Sequence, residues 1–157
     1  ITRTGEIWSY EMPTHSMATP SVTGDLVFIA DCGGSIHCLD RATGRPYWVH
    51  QGDAETWGST MVADGKVYFG DEDGDFIVMA ASKEKRILSK MTITHENGTT
   101  QVVDGPNLGA PIYGTPVVAN GTIYVQSNTH LFALYDDAKA AGLTDQPPKI
   151  DINLKKQ

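Results

Sequence analysis

Residues 19–48 read TPSVTGDLVFIADCGGSIHCLDRATGRPYW. Short apolar runs alternate with turn residues, the pattern of strands joined by tight connections. Forty residues on, the stretch falls without a gap on residues 59–88, STMVADGKVYFGDEDGDFIVMAASKEKRIL. A third copy, TPVVANGTIYVQSNTHLFALYD, starts at Thr115. One sheet-sized unit repeated along a chain is the signature of a repeat architecture.

Within the first copy, residues 18–22 predict a short strand and Thr23-Gly24-Asp25 a hairpin turn. The continuous apolar run 26–30 suits a strand covered on both faces. Gly33 and Gly34 centre the next turn, residues 36–39 form the third strand and 46–50 an outer one, where Pro46 is tolerable. The second copy repeats this, with Ala63-Asp64-Gly65 as its hairpin, the acidic turn 71–75, and strands over 76–80 and 86–91. Four-stranded antiparallel units of this length, joined in series, predict an all-β fold of propeller blades, about three of them.

The domain reading follows. Residues 1–17 are the outer strand of a preceding blade, 18–54 and 55–94 are blades, 95–112 are an inserted polar surface loop, and 113–157 are a blade with a C-terminal extension. In that extension residues 136–142 are weakly helical and 150–154 alternate as a last strand. The sequence begins at Ile1 without Met, which suggests processing, trimming or an upstream part.

The chain has 157 residues and a net charge of −7, against a nucleic-acid partner, since phosphate binding needs clustered Lys and Arg. No apolar run approaches the ~20 residues of a membrane helix. Two cysteines, Cys32 and Cys38, are too few for a disulfide scaffold. Pairing across Gly33-Gly34 sets Cys38 opposite Ile29, so an internal disulfide is not expected, and Cys38 is buried while Cys32 sits at the turn.

Residues 38–48, CLDRATGRPYW, resemble the tryptophan-docking motif A-x-D-x-x-T-G-x-x-x-W of pyrroloquinoline quinone (PQQ)-like β-propellers, with Cys38 in place of Ala. Asp40 and Thr43 can close a turn through side-chain hydrogen bonds, and Gly44 supplies an unusual φ. The resemblance implies that Trp48 lies flat against the neighbouring blade and that Trp8, ending residues 4–8 (TGEIW), docks for an earlier one. The second copy has lost the motif: Lys83, Glu84 and Leu88 stand where Thr, Gly and Trp belong. The family holds quinoprotein alcohol dehydrogenases as well as non-enzymatic members such as the outer-membrane assembly lipoprotein BamB. A ring cannot close on about three blades, so the resemblance is to the C-terminal part of a larger propeller, or to one completed by another chain.

Blade geometry sorts the loops onto two rims. One carries His15, Met17, Asp31, Cys32, Asp53, Glu55, Trp57, Asp71, Glu72, Asp73, Asp75, Tyr113 and His130, and is acidic and aromatic. The other carries Arg41, Arg45, Lys66, Lys83 and Lys85, with Asp25 and Asp64 among them. Met17, Trp57 and Tyr113 hold equivalent positions, two residues before Thr19, Ser59 and Thr115. They predict an arc at the channel mouth, either a binding surface or packing between blades. The candidate binding rim is therefore His15, Met17, Glu55, Trp57, Asp71, Asp73, Tyr113 and His130.

No catalytic, cofactor-binding or metal-binding residue stands out. The acidic turn 71–75 fails the spacing of a calcium loop. No two of the five histidines have metal-ligand spacing, and His37 reads as structural. There is no adjacent Cys-Cys pair of the kind that the quinoprotein enzymes place against PQQ. The expectation is a non-catalytic propeller module that presents its acidic rim to protein partners, without a cofactor of its own. By resemblance it works outside the cytoplasm, in the periplasm or envelope. One alternative is part of a quinoprotein alcohol dehydrogenase with PQQ and calcium; another is an accessory subunit of a redox complex.

Overall fold

The computed structural model describes residues 5–135. Among these every regular element is a strand. The first sheet has four antiparallel strands in chain order: β1 (Ser21–Thr23), β2 (Leu26–Ala30), β3 (Ser35–Asp40) and β4 (Pro46–Gln51). The second follows with β5 (Met61–Ala63), β6 (Lys66–Gly70) and β7 (Phe76–Ala80). After a separate hairpin, β8 (Met91–Thr94) and β9 (Thr100–Val103), the third sheet has β10 (Val117–Ala119), β11 (Thr122–Gln126) and β12 (Leu131–Leu134). The residues 136–142 and 150–154, read as a weak helix and a last strand, lie outside the described residues.

The three copies keep the same local rules. Asp64-Gly65 and Asn120-Gly121 close the first hairpins of their blades with both residues at positive φ, as a two-residue loop twisted like its strands requires. The second turn of the blade is braced by the segment that enters it. Cys32 N–H donates to His15 O, Glu72 N–H to Glu55 O and Asn128 N–H to Pro111 O, each at 2.9 Å. These are equivalent residues in the three copies.

Side-chain alternation joins the blades. On β6, Val67 and Phe69 pack with Leu26, Phe28, Ile36 and Trp48 of the first blade, while Tyr68 faces Ile112 and Val125 of the third. Both faces are covered, which is why these strands read as continuous apolar runs. Along the inner edge one hydrogen bond recurs: Thr19 N–H donates to Ser59 Oγ at 2.7 Å, and Ser59 N–H to Thr115 Oγ1 at 3.1 Å.

Four expectations need correction. Residues 5–17 form no strand, because no ladder is beside them to pair with. Cys38 lies opposite Phe28, not Ile29, because the turn is built on Asp31, whose N–H donates to Ser35 O and whose Oδ1 accepts the N–H of Gly33 and Ser35. Cys32 sits at that turn and Cys38 is buried, as expected; Cys32 is buried too, and both are free thiols.

The fourth strand of the second blade is not a continuous run over 86–91. It is split. Arg86 O and Val78 O bond across at one end (Ala80 N–H to Arg86 O, Leu88 N–H to Val78 O), and Phe76 N–H reaches Pro106 O at the other. Between the halves the chain leaves the ladder as the β8–β9 hairpin, whose second strand lies within the segment 95–112 read as a loop. Ser89 Oγ fastens the break: it accepts from Val78 N–H and donates to Asp104 O.

Candidate functional site

The turn at Asp40 is closed as its chemistry suggests. Asp40 Oδ1 accepts from the N–H of Ala42 and Thr43 and from Thr43 Oγ1, all at 2.8–2.9 Å, and Gly44 takes φ +71°. The Tyr47 hydroxyl donates to Oδ2; that bond first, then Thr43, holds the Asp40 carboxyl down to about 2. Both tryptophans reach the blade that follows them: Trp8 Nε1 donates to Arg41 O and Trp48 Nε1 to Ser82 O, each at 2.9 Å. Trp8 lies directly on Gly44, where a Cβ would come within 2.5 Å of the indole.

On the opposite rim three side chains from successive entry segments meet. Met17, Trp57 and Tyr113, with Glu72 from the β6–β7 turn, line an open concavity of about 480 Å³. Met17 is 61% exposed and Tyr113 46%. Trp57 Nε1 donates to Glu72 Oε2 and Tyr113 OH to Glu72 Oε1, each at 3.4 Å, so one carboxylate bridges the two rings. Partial burial and then the Glu72 charge raise the Tyr113 phenol. Glu72 belongs to the expected acidic rim, but its place between two rings is not legible from spacing.

The remaining rim residues separate. Asp71 and Asp73, flanking Glu72, line a second cavity. The side chains of His15 and Glu55 are exposed, and both residues serve through their carbonyls. His130 is exposed, rests 5.8 Å from the Phe132 ring and meets Thr129 Oγ1 at 2.9 Å, outside both cavities. His37 is fully buried, with Asp31 Oδ2 at 2.9 Å from Nε2 and the Tyr10 hydroxyl at 3.0 Å from Nδ1. It fastens residues 5–17 to the first blade.

The repeated blades match known proteins. Residues 2–90 fit the family model described as outer membrane protein assembly factor BamB. The chain belongs to this family of PQQ-like propellers. BamB from Moraxella catarrhalis superposes with a TM-score of 0.62 at 21% identity, over 82% of this chain and 36% of that one. The quinohemoprotein alcohol dehydrogenase ADHIIG from Pseudomonas putida HK5 gives 0.53 at 20% identity, over 76% and 18%. In sequence, the 1-butanol dehydrogenase (cytochrome c) of Thauera butanivorans is 23% identical over 130 residues, 74% of this chain and 18% of its own length. The chain thus spans about a fifth of that curated relative, and these likenesses support the fold.

A PQQ and calcium site does not fit the residues described. Cys32, in the β2–β3 turn, and Cys38, on β3, are both buried and not adjacent in sequence, and no three His, Cys, Asp or Glu side chains among the described residues converge as metal ligands. Trp57 is tied by its nitrogen to Glu72. Among the described residues no helix is long and apolar enough to cross a membrane.

Proposed function

We propose that this chain is a non-catalytic propeller module that docks a protein partner on its acidic, aromatic rim, in an extracytoplasmic complex. The carrying observation is the Glu72 carboxylate, which holds Trp57 and Tyr113 beside the exposed Met17. Aromatic rings and methionine are enriched at interface centres, the rings because they bury large areas at little entropic cost. The description of the matching family as an outer membrane protein assembly factor supports an envelope setting. Position 57 replaced by a photo-crosslinking benzoylphenylalanine is expected to capture a protein in intact cells, and Arg45 replaced in the same way is not. Adducts at 45 alone, or none at 57, refute the docking reading.

A second reading is alcohol oxidation with PQQ, favoured by the names of the dehydrogenases it resembles. Incubation with PQQ and calcium tests it. Cofactor absorbance with dye-linked alcohol oxidation would establish it, and no uptake removes it.

A further inference from the structure

Two equivalent aspartates are buried in successive blades, and only one has a basic partner. In the first blade Asp31 is 1% exposed, and its Oδ2 meets His37 Nε2 at 2.9 Å. Burial raises the Asp31 carboxyl, yet His37, the Ser35 N–H and Thr14 together bring it below its ordinary value. Forty residues on, Asp71 is 3% exposed, and its Oδ1 accepts the Asp75 N–H at 2.8 Å. Where the first blade has His37, the second has Ile77. Asp71 and Ile77 instead line a cavity of about 330 Å³ between the second blade and the β8–β9 hairpin.

The rest of that wall repeats the imbalance. Asp53, Asp73, Asp75 and Asp104 line it, with the Gln101 amide and no Lys, Arg or His. Burial first, then the charges of Asp75 and Asp73, push the Asp71 carboxyl up to about 6, so these carboxylates repel one another. Behind Asp104, His50 is 4% exposed, and its Nε2 has no hydrogen-bond partner; it faces Asp104 Oδ2 at 3.6 Å, too far to bond. Lys90 Nζ reaches the other Asp104 oxygen only at 3.9 Å.

We infer that this cavity binds an organic cation, an ammonium or guanidinium group, which supplies to Asp71 and Asp104 the donors that His37 supplies to Asp31. Several features select that chemistry. The wall offers acceptors and almost no donors, and a guanidinium carries five N–H groups in a fixed fork. Calcium needs six to eight oxygens at roughly 2.3–2.6 Å, and no three His, Cys, Asp or Glu side chains among the described residues are placed to hold a metal ion. Hydrogen bonds from an extended cation span carboxylates that stand further apart. The cation comes from a free polyamine or from a basic side chain of a partner. The inference does not rest on the docking role of the aromatic concavity.

Calorimetric titration of the protein with spermidine, with Nα-acetyl-arginine amide and with calcium chloride tests it. One of the two organic cations is expected to bind at a single site. A preference for spermidine assigns the free amine, and a preference for the arginine derivative assigns a partner side chain. Asp104→Asn and Asp71→Asn, which keep an acceptor oxygen, should each weaken binding about tenfold or more, as the loss of a charge-assisted bond does. Asp25→Asn on the opposite rim, equal in charge change, should leave it unaltered. Carbon-detected NMR of the Asp71 carboxyl should shift on adding the cation, a readout independent of variant stability. No heat and no Asp71 shift with either organic cation, equal weakening by Asp25→Asn, or binding of calcium alone overturns the inference.

Discussion

Removing the Trp48 indole measures how much the contact between blades stabilises the fold. The side chain is 8% exposed, stands 5.8 Å from the Phe28 ring and donates from Nε1 to Ser82 O at 2.9 Å. A buried tryptophan removes roughly 200 Å² from water, which at about 25 cal/mol/Å² sets an upper value near 5 kcal/mol. Trp48→Ala is therefore expected to cost about 3–5 kcal/mol. Trp48→Phe keeps the ring against Phe28 and loses the donor, leaving Ser82 O unpaired, for about 1–2 kcal/mol. Trp8 makes the same hydrogen bond to Arg41 O but is only half-buried, so Trp8→Ala should cost about half as much as Trp48→Ala. Urea unfolding followed by far-ultraviolet circular dichroism ranks the three, since fluorescence would change with the indole itself. Equal losses for Trp8→Ala and Trp48→Ala, or a Trp48→Ala loss below about 1 kcal/mol, would refute burial between blades as the source of stability.

Asp71 makes stability depend on pH. Its carboxyl is raised from 3.8 to about 6, so the folded state takes up a proton more readily than the unfolded chain. The contribution is fully present below about 4 and lost as pH rises through 6, worth roughly 3 kcal/mol across that window. Asp71→Asn should flatten the melting temperature between pH 4 and 7, and an unchanged slope contradicts the assignment. Gly44→Ala forces a side chain into φ +71° and against the Trp8 ring. It should cost about 1–2 kcal/mol and red-shift the tryptophan emission, and an unshifted spectrum argues that Trp8 does not rest there. Burial pushes the Cys38 thiol up to about 12, so Cys38 should resist alkylation at pH 8 until urea is added; rapid native modification at Cys38 would contradict its burial.

Much of the fold was legible because local and global signals agree. Continuous apolar runs at 26–30 and 67–69 mark strands covered on both faces, and turn residues sit at the same offset in each copy. Beyond the docking tryptophans, partnerships between blades were not legible. Tyr10 and His37 meet across 27 positions, and no periodicity announces it. The β8–β9 hairpin escaped because it lies on the periphery: Thr92, Thr94, Thr100 and Gln101 are polar and exposed, and Met91 and Val102 are exposed with them, so no buried stripe marks it. The cavity beside it was hidden for the same reason, since Gln101 and Asp104 enter its wall from a segment that reads as loop. The aromatic arc was visible as equivalent positions, but the role of Glu72 depends on where a turn places one carboxylate.

The bond passed along the inner edge gives the array a direction. Thr19 hands its N–H to Ser59, and Ser59 hands its own to Thr115. Donor and acceptor surfaces differ, so each contact is head-to-tail, and a two-fold pairing of like faces would set donor against donor. Any further blade, whether from this chain or another, can extend the series in only one sense. Beside Thr115 it must arrive hydroxyl first, and beside Thr19 it must arrive with a free N–H.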